Sequence, residues 1–191
     1  LDALMKNQLS KPWPSTHFVP IIRRFSPWAS CALTDGPTLL GFSNWGVTEL
    51  DGRVYCTGGL GKDHSFSARV TSVLLAEDGT VSTAHHAPMP SPTYGHVCVN
   101  YDGCVYTFGG TFMGHQGSMQ LSNELHKYDP VKDEWSLVSP ASNYRPPALY
   151  LPGGCVYNDS IVVFGGFEHD HNCSTDAYVF RFRDLCWVPV Q

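Results

Sequence analysis

The sequence predicts an all-β chain built from repeated four-stranded antiparallel sheets. Three observations carry this. A Gly pair recurs after an apolar run, at 58–59, 109–110 and 165–166. Two aromatic pairs with a seven-residue separation, Tyr128/Trp135 and Phe180/Trp187, lie 52 residues apart. Gly (18) and Pro (14) are plentiful beside 13% aromatic residues, a composition suited to short strands and tight turns.

Residues 1–20, with Pro12, Pro14 and Pro20, read as an irregular lead-in. "WASCALTDGPTLLGFS" then reads as a hairpin around Asp35-Gly36. Residues 1–44 are therefore expected to hold a lead-in and part of a sheet. Three repeats are expected after them, over about 45–90, 91–143 and 144–191.

The repeats announce themselves in "DGRVYCTGG" (51–59), "DGCVYTFGG" (102–110) and "NDSIVVFGG" (158–166). Each joins a turn, an apolar run and a Gly pair, with spacings of 51 and 56 between the pairs. The second unit reads as strands over about 96–100, 104–109, 122–128 and 134–138. Asn100-Tyr101-Asp102-Gly103 turns its first hairpin, because Asp-Gly supplies positive φ. Asp129-Pro130 turns its last, since Asp opens a turn and Pro presets φ. In the first unit Glu77-Asp78-Gly79 takes that role, which puts Leu74 and Val81 in the outer places held elsewhere by aromatics.

A lone twisted sheet cannot bury both faces. Stacked radially, each face meets a neighbour, so strands can be apolar on both sides. Tyr128 and Trp135, on paired strands, are then packing residues between sheets.

The composition also excludes function classes. Net charge is −5, and no block of Lys or Arg offers a nucleic-acid footprint. No run of about 18 apolar residues could form a membrane helix. Seven cysteines without a C-x-x-C read mostly as reduced thiols, so the expected location is cytoplasmic. The sequons at Asn158 and Asn172 point the other way. No G-x-S-x-G, H-E-x-x-H or phosphate loop is present, and an enzyme is not expected.

The pattern resembles the kelch-repeat family: a strand ending in Gly-Gly, a variable loop, then Tyr and Trp. Gly109-Gly110, Tyr128 and Trp135 carry it in the second unit. Gly165-Gly166, Phe180 and Trp187 carry it in the third, with Phe180 in the Tyr place. The first unit keeps Gly58-Gly59 and lacks both aromatics. Arg145 fits the Arg the family often places before the next unit, where Thr93 stands one unit earlier. The resemblance implies kelch-type β-propeller blades, about three here plus a partial N-terminal hairpin. Since propellers close with about four to eight blades, missing blades are expected outside this segment. Leu1 in place of Met fits a fragment or processed product, and no BTB or F-box region is recognisable in residues 1–44.

Repeat folds gather variable loops on one face. In kelch propellers this face, with the inter-blade connections, commonly binds a partner. Carried over, the resemblance nominates His64, Phe66, Arg69, Phe112, His115, Gln116, Glu168, His169, Asp170 and His171 from the loops. Tyr94, Tyr144 and Arg145 join them from the connections. Glu168, His169, Asp170, His171 and Cys173 are competent metal ligands. Without a second cluster they read as a solvated loop, and no metal or cofactor is expected. His85-His86 is expected to face water, and His96 to be a hydrogen-bonded structural residue.

The function implied is protein–protein interaction, as a scaffold or substrate-recognition propeller with an unidentified protein partner. The alternative is an enzymatic or carbohydrate-binding kelch-like propeller, of the sugar oxidase or sialic-acid mutarotase type.

Overall fold

The computed structural model describes residues 42–114, 117–169 and 172–190. The hairpin expected around Asp35-Gly36 lies outside them. The first unit runs β1 (Phe42–Ser43), β2 (Gly46–Leu50), β3 (Arg53–Thr57), β4 (Leu60–Gly61), β5 (Val70–Leu75) and β6 (Val81–His86). Its blade is the antiparallel sheet β2-β3-β5-β6, while β1 pairs with β4.

The second unit runs β7 (Thr93–Tyr94), β8 (Val97–Tyr101), β9 (Cys104–Phe108), β10 (Thr111–Met113), β11 (Met119–Leu121), β12 (Leu125–Asp129) and β13 (Glu134–Leu137). Its blade is β8-β9-β12-β13, and β7-β10-β11 form a smaller sheet. The third blade is β14 (Gly153–Val156), β15 (Ser160–Phe164), β16 (Ala177–Arg181) and β17 (Cys186–Pro189), in that order. The described residues thus form an all-β fold of four-stranded antiparallel blades.

Local chemistry explains the hairpins. Asp51-Gly52, Asp102-Gly103 and Asn158-Asp159 all have positive φ, as turns that match strand twist require. At the outer hairpin of the second blade the Asp129 carboxylate accepts from the amides of Val131 and Lys132, at 3.0 and 3.2 Å. These bonds close the turn that Pro130 preorganises.

The aromatics pack as their spacing requires. Tyr128 is paired with Trp135 across β12 and β13, ring centroids 5.2 Å apart. Phe180 is paired with Trp187 across β16 and β17, at 5.3 Å. Tyr128 joins Leu50, Tyr55 and Val70 of the first blade in one core cluster. Trp187 reaches Phe108 of the second blade at 4.8 Å, inside a second cluster that holds Ile161 and Phe180. Each aromatic buries about 150–250 Å². That is about 4–6 kcal/mol at 25 cal/mol/Å², before ordering entropy.

The first blade corrects one expectation. Four residues before each Gly pair stand Val54, Val105 and Ile161. Val105 pairs with Tyr128 and Ile161 with Phe180. Val54 pairs with Val73, and Val73 with Thr83. Val73 and Thr83, not Leu74 and Val81, therefore hold the equivalent places. Leu75 pairs with Val81 instead, because the Glu77-Asp78-Gly79 turn makes this hairpin longer by three residues.

The first strands of neighbouring blades approach most closely. β8 packs against both β2 and β14. A Cβ on Gly46 would lie 2.5 Å from Nε2 of His96, and one on Gly154 would lie 2.5 Å from Cγ1 of Val97. Only hydrogen fits at these two contacts. His96 is buried here, and its Nε2 lies 2.8 Å from the Thr57 hydroxyl, the hydrogen-bonded structural place expected of it.

His86 corrects a second expectation. It lies on β6 between Tyr55 and Tyr128, at 5.4 and 6.0 Å, and its Nε2 is 2.8 Å from the Ser72 hydroxyl. The face of β6 it occupies packs on the second blade. His85, on the opposite face, is exposed.

Candidate partner-binding face

The Gly pairs are where each blade hands the chain to its loop. All six glycines have positive φ, a conformation with little steric cost only for glycine. The second glycine of a pair then donates its amide to the connection that leads to the next blade. Gly59 donates to the Thr93 carbonyl at 2.9 Å, and Gly110 to the Leu149 carbonyl at 2.8 Å.

Loops and connections are knitted at this end of the blades. The connection strand β7 pairs with the loop strand β10, so Thr93 faces Phe112 and Tyr94 faces Thr111. Tyr150, in the next connection, bridges to Phe167 in the third loop. A row of rings follows the same path. Phe66 meets Tyr94 at 4.7 Å, Tyr94 meets Tyr150 at 5.4 Å, and Tyr150 meets Phe167 at 6.4 Å. Edge-on and tilted contacts of this kind are favourable beyond their buried area.

The nominated residues divide by this geometry. Tyr94 is buried inside the ring row and supplies packing beneath the surface. Phe66 and Phe112 are half-buried. Arg69 is exposed and holds its guanidinium 5.3 Å from the centroid of Phe42, a cation–π contact. His64 is exposed with φ of 61°, its amide bonded to the Gly61 carbonyl. His169 and Tyr144 are exposed, and Glu168 is half-buried. His115, Gln116, Asp170 and His171 lie outside the described residues.

Arg145 has the most constrained geometry of the set. Its guanidinium donates to the carbonyls of Ser142, Tyr144 (2.8 Å) and Pro140 (3.1 Å). These bonds fold the connection around a fixed positive charge. Arg145 lines a cleft of roughly 210 Å³ with Asn123, Glu124, Leu137, Val138 and Pro140. Asn123 is itself fixed, its amide donating to the Pro146 carbonyl at 3.1 Å. His126 stands 3.5 Å from Glu124, its pKa lowered mainly by burial and raised in part by that carboxylate.

Several contributors carry no local sequence signal. Tyr150 and Phe167 reach the ring row only through tertiary contact, and Phe42 reaches the face through Arg69. Tyr178 lies at the same end of the third blade. Burial raises its pKa first. A hydrogen bond from Ser174 opposes the shift, and Asp176, Glu168 and Tyr144 add to it. Glu168 and Tyr144, distant in sequence, therefore act on one hydroxyl. Among the described residues no group of three or more His, Cys, Asp or Glu side chains is placed to hold a metal ion. No helix among them is long and apolar enough to cross a membrane.

Comparison with known proteins agrees with this architecture. The family model described as the KLHDC2/KLHL20/DRC7 Kelch-repeats domain matches residues 36–191. The leucine-zipper-like transcriptional regulator 1 homolog of Drosophila melanogaster is 31% identical over 109 residues, covering 56% of this chain and 11% of the relative. Kelch-like protein 40 of Mus musculus is 25% identical over 189 residues, covering 98% of this chain and 28% of the relative. The chain thus spans less than a third of the length of these relatives. Among solved structures, YjhT superposes with a TM-score of 0.67 at 19% identity, over 80% of this chain and 52% of that one.

Proposed function

This chain belongs to the kelch-repeat family, and from that premise we propose that it is a protein-interaction module that recognises a partner segment with its loop face. The observation that carries the reading is Arg145. Three backbone carbonyls hold its guanidinium at the cleft, so little side-chain entropy remains to be lost on binding. Exposed Tyr144 and His169 supply amphipathic contact area of the type enriched at interfaces. The ring row beneath supports a rigid platform.

A fixed guanidinium favours an acidic or polar segment, since charge-assisted bonds to carboxylates are stronger than neutral ones. The six described cysteines are unpaired, which suits a reducing compartment such as the cytoplasm. The test is peptide selection on the purified chain from a random library, followed by calorimetry. Enriched acidic peptides whose affinity falls about tenfold in Arg145→Ala are expected, the scale of one charge-assisted contact. Selection of no peptide, or affinities untouched by Arg145→Ala, would remove the reading.

A further inference from the structure

The loop after the second Gly pair is itself a hairpin. Its strands β10 and β11 pair as Thr111 with Leu121, Phe112 with Gln120 and Met113 with Met119. The hydrogen bonds fix which way each backbone group points. The Ser122 amide donates to the Gly110 carbonyl and the Gly114 amide to the Ser118 carbonyl, both at 2.9 Å. The Thr111 hydroxyl donates to the Gln120 carbonyl at 3.0 Å. Antiparallel strands alternate between bonded and unbonded pairs. Gln120 therefore turns its N–H and C=O toward β10, while Met119 and Leu121 turn theirs to the outer side of β11.

The two edges of this small sheet differ. The β7 edge is closed, because the Thr93 amide donates to the Ser67 carbonyl and the Thr93 carbonyl accepts from Gly59, both at 2.9 Å. At the β11 edge the backbone groups of Met119 and Leu121 bond to no other described residue. Exposed edges are commonly blocked by charged residues or Pro. The outer blade strands follow that rule, with Glu134 in β13 and Pro189 in β17, whereas β11 reads Met-Gln-Leu. Met119 is 59% exposed, and Met113, its pair on the same face, is 49% exposed. Thioether side chains adapt to apolar partners of varied shape.

We propose that β11 takes up an extended segment of a partner protein as an added strand, a mode of binding that rests on this end being the recognition face. Backbone bonds to Met119 and Leu121 hold the segment. Its alternate side chains share a face with Met113 and Met119, so apolar residues are preferred there. Two residues beyond Leu121, Asn123 lines the Arg145 cleft. A segment that continues past Leu121 has about 7 Å to travel to that cleft, where an acidic residue meets Arg145.

The experiment uses a peptide selected on the purified chain from a random library, synthesised with one backbone amide N-methylated at a time. Calorimetry should show affinity falling about tenfold at every second residue of the paired stretch and little between, since alternate amides face β11. Met119→Pro removes the outward amide and spares the Gln120 bonds to β10, a change that edge strands tolerate. It should weaken the peptide about tenfold with a melting temperature close to wild type. N-methyl costs without alternation, or affinity indifferent to Met119→Pro, would overturn the proposal. If Met119→Pro unfolds, the N-methyl series decides alone. Light scattering on the free chain covers the other occupant: a dimer that Met119→Pro abolishes assigns the edge to a second copy and also overturns it. Arg145→Ala separates the two readings. Affinity lost in Arg145→Ala without alternation keeps the recognition face and removes the added strand. Alternation with affinity untouched by Arg145→Ala keeps the added strand and removes Arg145 from recognition. Selection of no peptide removes both.

Discussion

The Ser122 amide donates to the Gly110 carbonyl at 2.9 Å, closing the loop of the second blade back onto its Gly pair. Ser67 and Ser174 make the same bond to Gly59 and Gly166, each at 2.9 Å. Each serine hydroxyl also accepts from the amide two residues on, at 3.0 Å from Arg69, 3.1 Å from Glu124 and 3.5 Å from Asp176. A loop of any length is thus returned to the same point before its third strand begins.

Ser122→Ala keeps the amide and loses only the hydroxyl contact, so it should cost about 1 kcal/mol. Ser122→Pro removes the donor itself and should cost about 2–3 kcal/mol. Urea denaturation separates the two. Equal costs would show that the amide bond does not hold the loop.

Gly110→Ala and Gly103→Ala compare crowding at similar backbone angles. Both glycines have positive φ, 88° and 70°. A Cβ at Gly103 meets nothing within 4 Å, while one at Gly110 comes within 2.7 Å of Thr93 Cγ2 and 2.9 Å of the Tyr94 carbonyl. Gly103→Ala should cost about 1 kcal/mol, from conformation alone. Gly110→Ala adds overpacking, so its cost should exceed that by about 1–3 kcal/mol. Denaturant midpoints check the difference.

Trp187 is fully buried and Trp135 half-buried. Trp187→Ala should cost about 3–5 kcal/mol and Trp135→Ala about half of that. The phenylalanine variants divide differently. Trp135 donates from Nε1 to the Ala87 carbonyl at 3.0 Å, joining the second blade to the connection before it. Trp135→Phe should therefore lose about 1 kcal/mol of hydrogen bonding in addition to packing area. The Trp187 Nε1 is buried without a hydrogen-bond partner among the described residues, so Trp187→Phe forfeits no such bond there. Thermal melts of the four variants give the order.

What was legible in the sequence follows from where its signals lie. The Gly pairs and the seven-residue aromatic spacing are local, so Tyr128–Trp135 and Phe180–Trp187 could be read directly as paired positions. The first blade offers no aromatic at the corresponding places. Its longer hairpin shifts the equivalents to Val73 and Thr83, which no spacing rule marks. The serine staples were readable in principle, since "SAR", "SNE" and "STD" each stand just before the third strand. Serine is too common in loops for that to stand out. The ring row was not readable, because Phe66, Tyr94, Tyr150 and Phe167 come from alternating loops and connections.

Burial sets a pH dependence. His96 sits wholly inside, and burial lowers its pKa from 6.5 to about 4, with His126 adding repulsion. Burial also lowers His86 and His126. Between the folded and unfolded pKa values the unfolded chain binds more protons, so stability rises with pH there. The contribution is complete above about pH 6.5 and is lost progressively as pH falls toward 4. For His96 it is on the order of 3 kcal/mol. His96→Gln, which can keep a bond to Thr57, should flatten most of this slope. An unchanged slope in urea melts between pH 6.5 and 4 would show that His96 does not carry it.

The division of labour between blades and loops is tested most directly by measuring two quantities on two variants. The variants are Trp135→Phe and Arg145→Ala, and the quantities are melting temperature and affinity for a peptide selected on the wild-type chain. Trp135→Phe should lower the melting temperature by several degrees, as a loss of about 1 kcal/mol or more implies, and leave affinity unchanged. Arg145→Ala should weaken affinity about tenfold, equivalent to about 1.4 kcal/mol, with the smaller change in melting temperature. The reverse pattern, with Trp135 governing affinity and Arg145 governing only stability, would contradict a recognition face held in place by an architectural repeat.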